Sequence, residues 1–298
     1  MDRDLLAHLP IVLAVARHSG FAAAAAALGM SPSAVSHAVR VVEDRLGEPL
    51  FARTTRSMST TEAGKRFLAT IGPALDDIAG AYETLAADRG EISGHLRINV
   101  PRSSVEFAVT PLLIEAMRRH PRLVVEVVTE EAFVDIVARG FDAGIRLGEA
   151  VAEDMVTVRL TPPFQTILVA APAYLAECGV PASLGDLPGH RLIGYRLAGS
   201  GEIYAWDLND GGRDVKRALP AAVIVTDASY ARDLAIAGIG IAYLQQPLVA
   251  AELAAGKLIQ LLPETAVQEE GLFLYFPRRA AMAPKLRAFI DLARARPR

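Results

Sequence analysis

The chain is poor in the residues that most often carry chemistry. It has one cysteine among 298 residues, Cys178, so an intrachain disulfide and a cysteine-based zinc cluster are excluded. The neighbours Glu177 and Gly179 supply nothing that would activate a thiolate, and Cys178 reads as a packing residue. The six histidines, at positions 8, 18, 37, 95, 120 and 190, are not spaced as metal ligands. There is no GxSxG elbow and no HExxH pair, and Gly199 with Gly201 and Gly238 with Gly240 are too sparse for a nucleotide fingerprint. An enzyme, a bound metal and a cofactor are therefore not expected. No apolar run reaches membrane-spanning length and no signal-peptide hydrophobic region opens the chain, so a cytoplasmic protein without a membrane partner is expected. Net charge is −3, which neither supports nor opposes a polyanionic partner. At 52% hydrophobic residues the chain can build two or three domains with proper cores.

What is present concentrates near the N-terminus. Ser19 to Arg56 lays an alanine-rich helix, Phe21 to Leu28, before Gly29, whose permissive backbone suits a helix end and a sharp turn. Ser31 is placed as an N-cap and Pro32 at the first position of a second helix. At about 100° per residue, Val35, Val39, Val42 and Leu46 share one side of that helix. Ser33, Ser36, His37 and Arg40 cluster on the other, a polar set suited to base edges in a major groove. Leu50 and Phe51 should plug into the helical core, and the next ten residues should form a two-stranded wing. There Arg53, Thr54, Thr55, Arg56 and Ser57 offer phosphate contacts. From Arg45 to Arg66 five basic residues face two acidic ones, a local charge of +3. The expected partner is double-stranded DNA.

Residues 1–64 resemble the DNA-binding domain of LysR-type bacterial transcriptional regulators. The resemblance rests on Phe21, Ala24 and Ala25, Leu28, Ser31, Ala34 to Ser36, Glu43, Leu46 and Gly47, Pro49 to Phe51, Arg53, and Thr61 to Gly64. The chain departs from the pattern at Pro32, Ser33 and His37, so no operator sequence carries over. Pro10 is also unusual within an expected first helix, which should either start near Leu9 or kink there.

From Thr61 onward, Leu68, Ile71, Leu75, Ile78, Tyr82 and Leu85 recur in alternating steps of three and four, an a/d seam. A helix over 62–88 would be about 40 Å long, too long to pack wholly on a small winged domain, and Pro73 should bend it. The seam fits a partner helix, and the resemblance implies that it pairs two subunits. A homodimer or homotetramer on an interrupted inverted repeat follows. RNA polymerase is a further candidate partner of such a regulator.

After Gly90 to Gly94 the pattern changes. A strand over Leu96 to Val100, helices near 105–119 and 133–139 and strands near 124–129 and 142–147 read as βαβ units, implying a parallel sheet with helices on both faces. A second round runs through strands at 165–171, 222–226 and 239–244 and a helix near 230–237. A strand at 272–276 and a helix near 282–294 should return to the first lobe. The expected class is α/β. The boundaries are 1–61 for the winged helix-turn-helix, 62–89 for the linker helix and 94–298 for a two-lobed domain. Lobe I would hold about 94–160 and 270–298, lobe II about 165–263, with crossovers near 160–164 and 263–271 as a hinge. This order resembles the effector-binding domain of the same regulators, itself similar to periplasmic binding proteins.

Ligands of open α/β sheets sit beyond the carboxyl ends of strands, often at helix N-termini. That rule selects Ser103, Ser104, Glu130, Phe133 and Arg146 in the first lobe, and Tyr195, Arg196, Thr226, Asp227 and Tyr243 in the second. A small organic acid or aromatic carboxylate is the expected effector. Ser103 and Ser104 also suit N-caps, Arg146 also suits an ion pair with Asp142 or Glu149, and the tyrosines also suit packing. A DNA-binding architectural or oligomerising protein without a ligand is the alternative reading.

Overall fold

The computed structural model describes residues 3–18, 20–53, 58–87, 92–148 and 155–295. Contacts divide the chain into two units, Met1–Glu91 with Asp135–Phe141, and Ile92–Val134 with Asp142–Arg298.

In the first unit, α1 (Arg3–Arg17), α2 (Phe21–Leu28) and α3 (Pro32–Leu46) enclose a core of Leu9, Val12, Val15, Ala24, Ala25, Val35, Val39 and Val42. The small Ala24 and Ala25 side chains, both buried, let α2 approach its neighbours closely. α2 ends in paired bonds from the Met30 N–H to the Ala25 carbonyl and from the Gly29 N–H to the Ala26 carbonyl, with Gly29 at φ 65°. Strands β1 (Phe51–Arg53) and β2 (Met58–Thr60) pair antiparallel as the wing, followed by α4 (Glu62–Ala87). Leu50 and Phe51 are buried as expected. Leu46 is not: it is 37% exposed, because Gly47 terminates α3 before its last turn reaches the core. α1 begins at Arg3, well before Leu9, and passes through Pro10. Pro10 and Leu6 lie on the exposed side, where a carbonyl that loses its intrahelical partner is open to solvent. α4 likewise continues through Pro73.

The second unit begins with β3 (Ser93–Val100), one 3₁₀ turn over Arg102–Ser104, and a π turn over Val105–Val109 that leads into α5 (Thr110–Arg119). Then come β4 (Arg122–Thr129), β5 (Ala143–Leu147), β6 (Met155–Arg159), β7 (Phe164–Ala170), α6 (Pro172–Cys178) and β8 (Leu192–Tyr195). The hairpin β9 (Trp206–Asp210) and β10 (Arg213–Arg217) precedes β11 (Val223–Val225), α7 (Ala228–Ile236), β12 (Ile241–Gln245) and α8 (Gln246–Ala254). The chain finishes with β13 (Ile259–Leu261), β14 (Val267–Glu269), β15 (Leu272–Pro277) and α9 (Pro284–Arg294).

Two sheets result, one ordered β4-β3-β5-β15-β6 and the other β11-β8-β12-β7-β13, with β14 also on β7. Neither is wholly parallel, which corrects the βαβ expectation. β3 pairs parallel with β4 and β5, but β15 runs antiparallel to β5 and β6, and β7 antiparallel to β12, β13 and β14. The strands that follow the two crossovers, β7 and β15, are the ones that run against the rest of their sheets. The helix expected at 133–139 is absent. The Asp135 carboxylate caps the Val137 and Ala138 N–H groups, and bonds from Phe141 to Ile136 and from Gly140 to Val137 close the segment after one turn, with Gly140 at φ 66°. Cys178 is exposed, against expectation, at the last position of α6.

Alternation along β7 serves both faces of the second sheet: Ile167 and Val169 join one core cluster, Leu168 and Ala170 another. At the crossovers the Leu272 N–H donates to Thr161 Oγ1 at 2.9 Å and the Leu160 N–H to the Leu272 carbonyl at 2.8 Å. Gly271 sits between them at φ 98°, where a Cβ would stand 2.8 Å from the Thr161 and Pro162 carbonyl oxygens. Among the described residues no helix is long and apolar enough to cross a membrane.

Candidate nucleic-acid interface and ligand cavity

The helix pair is fixed by short-range bonds. Ser31 Oγ accepts from the Ala34 N–H at 3.2 Å and lies 3.0 Å from Ser33 Oγ, setting the start of α3. On that helix Ser33, His37 and Arg40 are exposed and Ser36 is half-buried, opposite the buried Val35, Val39 and Val42. Among the described residues Arg40 makes no ion pair, so its guanidinium fork is available to a base edge or phosphate. The wing is tied to the back of α3 by Glu43, whose Oε1 accepts from the Leu50 N–H at 2.7 Å and the Phe51 N–H at 3.1 Å. Thr61 Oγ1 donates to the Pro49 carbonyl at 2.7 Å and accepts from the Gly64 N–H at 2.9 Å, capping α4. Gly64 allows this closure, since a Cβ there would lie 2.1 Å from the Leu50 carbonyl oxygen. The backbone of Arg53 is paired with Met58 in the wing, while Thr54, Thr55, Arg56 and Ser57 lie outside the described residues.

In α4, Leu68, Ile71 and Leu75 pack on the first unit's own core, whereas Ile78 is 58% exposed. The side chains of Tyr82 and Leu85 lie outside those described.

Within the second unit a cavity of about 580 Å³ opens between the two sheets. Of the side chains selected from sequence it gathers Ser103, Phe133, Arg146, Tyr195 and Tyr243. Ser104, Glu130, Arg196, Thr226 and Asp227 do not line it. Each of these has a local explanation, apart from the exposed Thr226. Ser104 Oγ donates to the Pro101 carbonyl at 2.7 Å, Glu130 Oε2 accepts from Asn99 Nδ2 at 3.3 Å, and Arg196 Nη1 donates to the Gly201 carbonyl at 2.6 Å. Asp227 caps α7 through the Ser229 and Tyr230 N–H groups and pairs with Arg102 at 3.0 Å.

Arg146 is the pole of the cavity. It is 6% exposed, and its nitrogens donate to Asn99 Oδ1 at 2.6 Å and to the carbonyls of Ile145 at 2.6 Å, Ala132 at 2.9 Å and Glu130 at 3.3 Å. Among the described residues its buried Nε has no hydrogen-bond partner and the guanidinium forms no ion pair. Asp142, one partner foreseen, is taken by Lys285 at 3.0 Å, and Glu149, the other, lies outside the described residues. Burial pulls the guanidinium's pKa down, partly offset by the negative charge of Glu131 and Glu130. A guanidinium nevertheless stays protonated, so the site holds a buried positive charge solvated by neutral oxygens.

Facing it are groups the sequence reading did not select: Glu131, Thr166, Tyr204, Trp206, Gln245 and Glu269. Burial raises the Glu131 pKa, opposed by the Arg102 N–H at 2.9 Å and the Tyr195 hydroxyl. Burial, with Glu131 beside it, pushes the Tyr195 phenol up in turn. Thr166 Oγ1 donates to Glu269 Oε1 at 2.8 Å. Tyr243 stacks with Trp206 and with Tyr204, ring centroids 5.6 and 6.4 Å apart, and its hydroxyl donates to the Asp207 carbonyl. Phe133 stacks on Tyr275 at 6.2 Å. The lone tryptophan was the one available signal, being a costly residue placed at the start of a short amphipathic hairpin.

A winged helix-turn-helix joined to a two-sheet α/β unit with a cavity between its lobes defines a DNA-binding transcriptional regulator. Residues 6–65 match the family model for the bacterial regulatory helix-turn-helix protein, lysR family, and residues 89–298 that for the LysR substrate binding domain. The chain belongs to the LysR family of transcriptional regulators. It is 35% identical over 295 residues to the HTH-type transcriptional regulator PgrR of Escherichia coli K12, spanning 98% of this chain and 97% of that protein. The LysR-type regulator CrgA of Neisseria meningitidis is similar in structure, with 28% identity, 97% of both chains covered and a TM-score of 0.62. The full-length Vibrio cholerae virulence activator AphB shares the fold at 21% identity, covering 98% of this chain and 99% of that one, with a TM-score of 0.65.

Proposed function

We propose that this regulator reads an interrupted inverted repeat as a homodimer or dimer of dimers and answers to a small carboxylate bound at Arg146. Residues 1–61 hold the DNA, with Ser31, Ser33, Ser36, His37 and Arg40 at base edges and nearby phosphates and Arg53, Thr54, Thr55 and Arg56 on phosphates of the wing. Residues 62–89 pair two subunits, and residues 94–298 sense the ligand. The pairing is supported by α4: its first half is covered by the domain's own core, and its seam continues into the exposed Ile78.

One observation carries the ligand reading: a buried guanidinium with no ion pair among the described residues lines a cavity of ligand size. A ligand carboxylate would supply the missing counter-charge, and Ser103, with Phe133 and Tyr243 beside the ligand body, would fix its orientation. Closure of the lobes around it would shift the population of subunit arrangements, since the ligand binds the closed form better than the open one.

Calorimetry of the full-length protein with small organic and aromatic acids tests the reading. Arg146→Met should weaken the acid that binds by about 100-fold or more, as expected for loss of one partner of a buried charge pair. Binding of only cationic or very large compounds would overturn it. A footprint covering one half-site, or a monomer by light scattering at micromolar concentration, would overturn the dimeric operator.

A further inference from the structure

The two walls of the cavity differ in chemistry. The first sheet presents donors, Ser103 and the Arg146 guanidinium. The second presents acceptors around Thr166, which β-pairing sets between Gln245 on β12 and Val267 on β14, two residues before Glu269. Gln245 Oε1 is buried and has no hydrogen-bond partner among the described residues, and Gln245 lines the cavity. An amide oxygen left unpaired in a protein interior costs free energy that a bound donor would recover. Glu269, two residues beyond Thr166's β-partner, adds a carboxylate to the same wall, its Oε1 accepting from the Thr166 hydroxyl. Its charge is felt locally, helping burial to raise the Tyr243 and Tyr204 phenols. Glu131, the other acid on the cavity, is already engaged by the Arg102 N–H and the Tyr195 hydroxyl.

We infer that the effector carries an amino group as well as a carboxylate, in the manner of an amino acid or short peptide. Its carboxylate lies on Arg146 and Ser103, its apolar body on Phe133 and Leu244, and its ammonium on Gln245 Oε1 and Glu269. This rests on the carboxylate site proposed above and adds the second anchor. A molecule held on both walls also has the differential affinity that lobe closure requires, because either half-contact alone is available without closing.

The test uses the full-length protein and three matched panels: the L-amino acids with their L-alanyl dipeptides, the same compounds lacking the amino group, and the same lacking the carboxylate. Thermal unfolding midpoints and calorimetric affinities are read for wild type and Glu269→Gln, which keeps the side-chain size and an acceptor for Thr166. The expected result is a member of the first panel that binds at least about 10-fold more tightly than either stripped counterpart, as a charge-assisted contact predicts. Glu269→Gln should remove most of the margin over the deaminated compound and leave that compound's own affinity within about 2-fold. Deaminated acids that bind as tightly as their parents overturn the inference while leaving the Arg146 carboxylate site standing. If no carboxylate in any panel binds, both fall.

Discussion

The reading helix and the cavity place their working side chains by opposite means. On α3 the candidate groups lie within eight residues, Ser33 to Arg40, on the side turned away from Val35, Val39 and Val42, and most are exposed. Function there is carried on a surface whose loss leaves the packing intact. In the cavity, Ser103, Arg146, Thr166, Tyr195, Gln245 and Glu269 come from six separated segments, and Arg146 alone holds the Asn99 side chain and three carbonyl groups. There the groups that would touch a ligand also hold the fold together. Recognition is separable from stability in the first region and fused to it in the second.

The sharpest way to break the first half of this comparison is to attack the scaffold behind the helix. Gly64→Ala drives a Cβ into the Leu50 carbonyl, a backbone atom that cannot rotate aside, and should cost about 3 kcal/mol or more in urea unfolding. DNA affinity should then fall on every sequence in step with the folded fraction. Arg40→Ala should behave differently, leaving the unfolding midpoint in place while losing about 1 to 3 kcal/mol of preference at one base pair in a binding selection. Arg53→Ala and Arg56→Ala should each lower the slope of log affinity against log salt by about 0.9 without changing preference.

In the second unit, Asp227→Ala removes the α7 cap and the Arg102 pair together, and about 1 kcal/mol of stability should go with them. The smallest effect concerns Glu131. Its carboxyl titrates near 4.5 when unfolded and higher when folded, so the native state binds the proton more tightly. Stability should therefore fall as pH rises from about 4.5 through the raised folded value, and Glu131→Gln should flatten that decline in unfolding midpoints.

Much of the first region could be read directly from the chain because its rules are local. Ser31, Pro32, Gly29 and Gly47 end or begin helices through contacts within a few residues, and the period of the valines marks the buried side. Leu46 escaped that logic because a period does not say where the helix stops being covered. The second region was legible as a class but not in its directions. Alternating strands and helices suggested parallel sheets, while the reversal of β15 and β7 depends on crossings between lobes that no short window encodes. The missing helix at 133–139 was decided by Asp135 and Gly140, whose cap and left-handed turn leave one turn between them. The β9–β10 hairpin had a signal in Gly211 and Gly212, both at positive φ between alternating apolar residues. Glu269, Gln245 and Thr166 had none, since they meet only through the register of three strands.

The adjacency of the two crossovers at Gly271 constrains how the lobes can move. Two straps hydrogen-bonded side by side behave as a single torsion element, so rocking about their shared line is soft while sliding or splaying would shear the Leu272 bonds to Thr161 and Leu160. Any side chain at position 271 would act as a wedge in that element and hold the jaws at a fixed opening, whatever occupies the space between them.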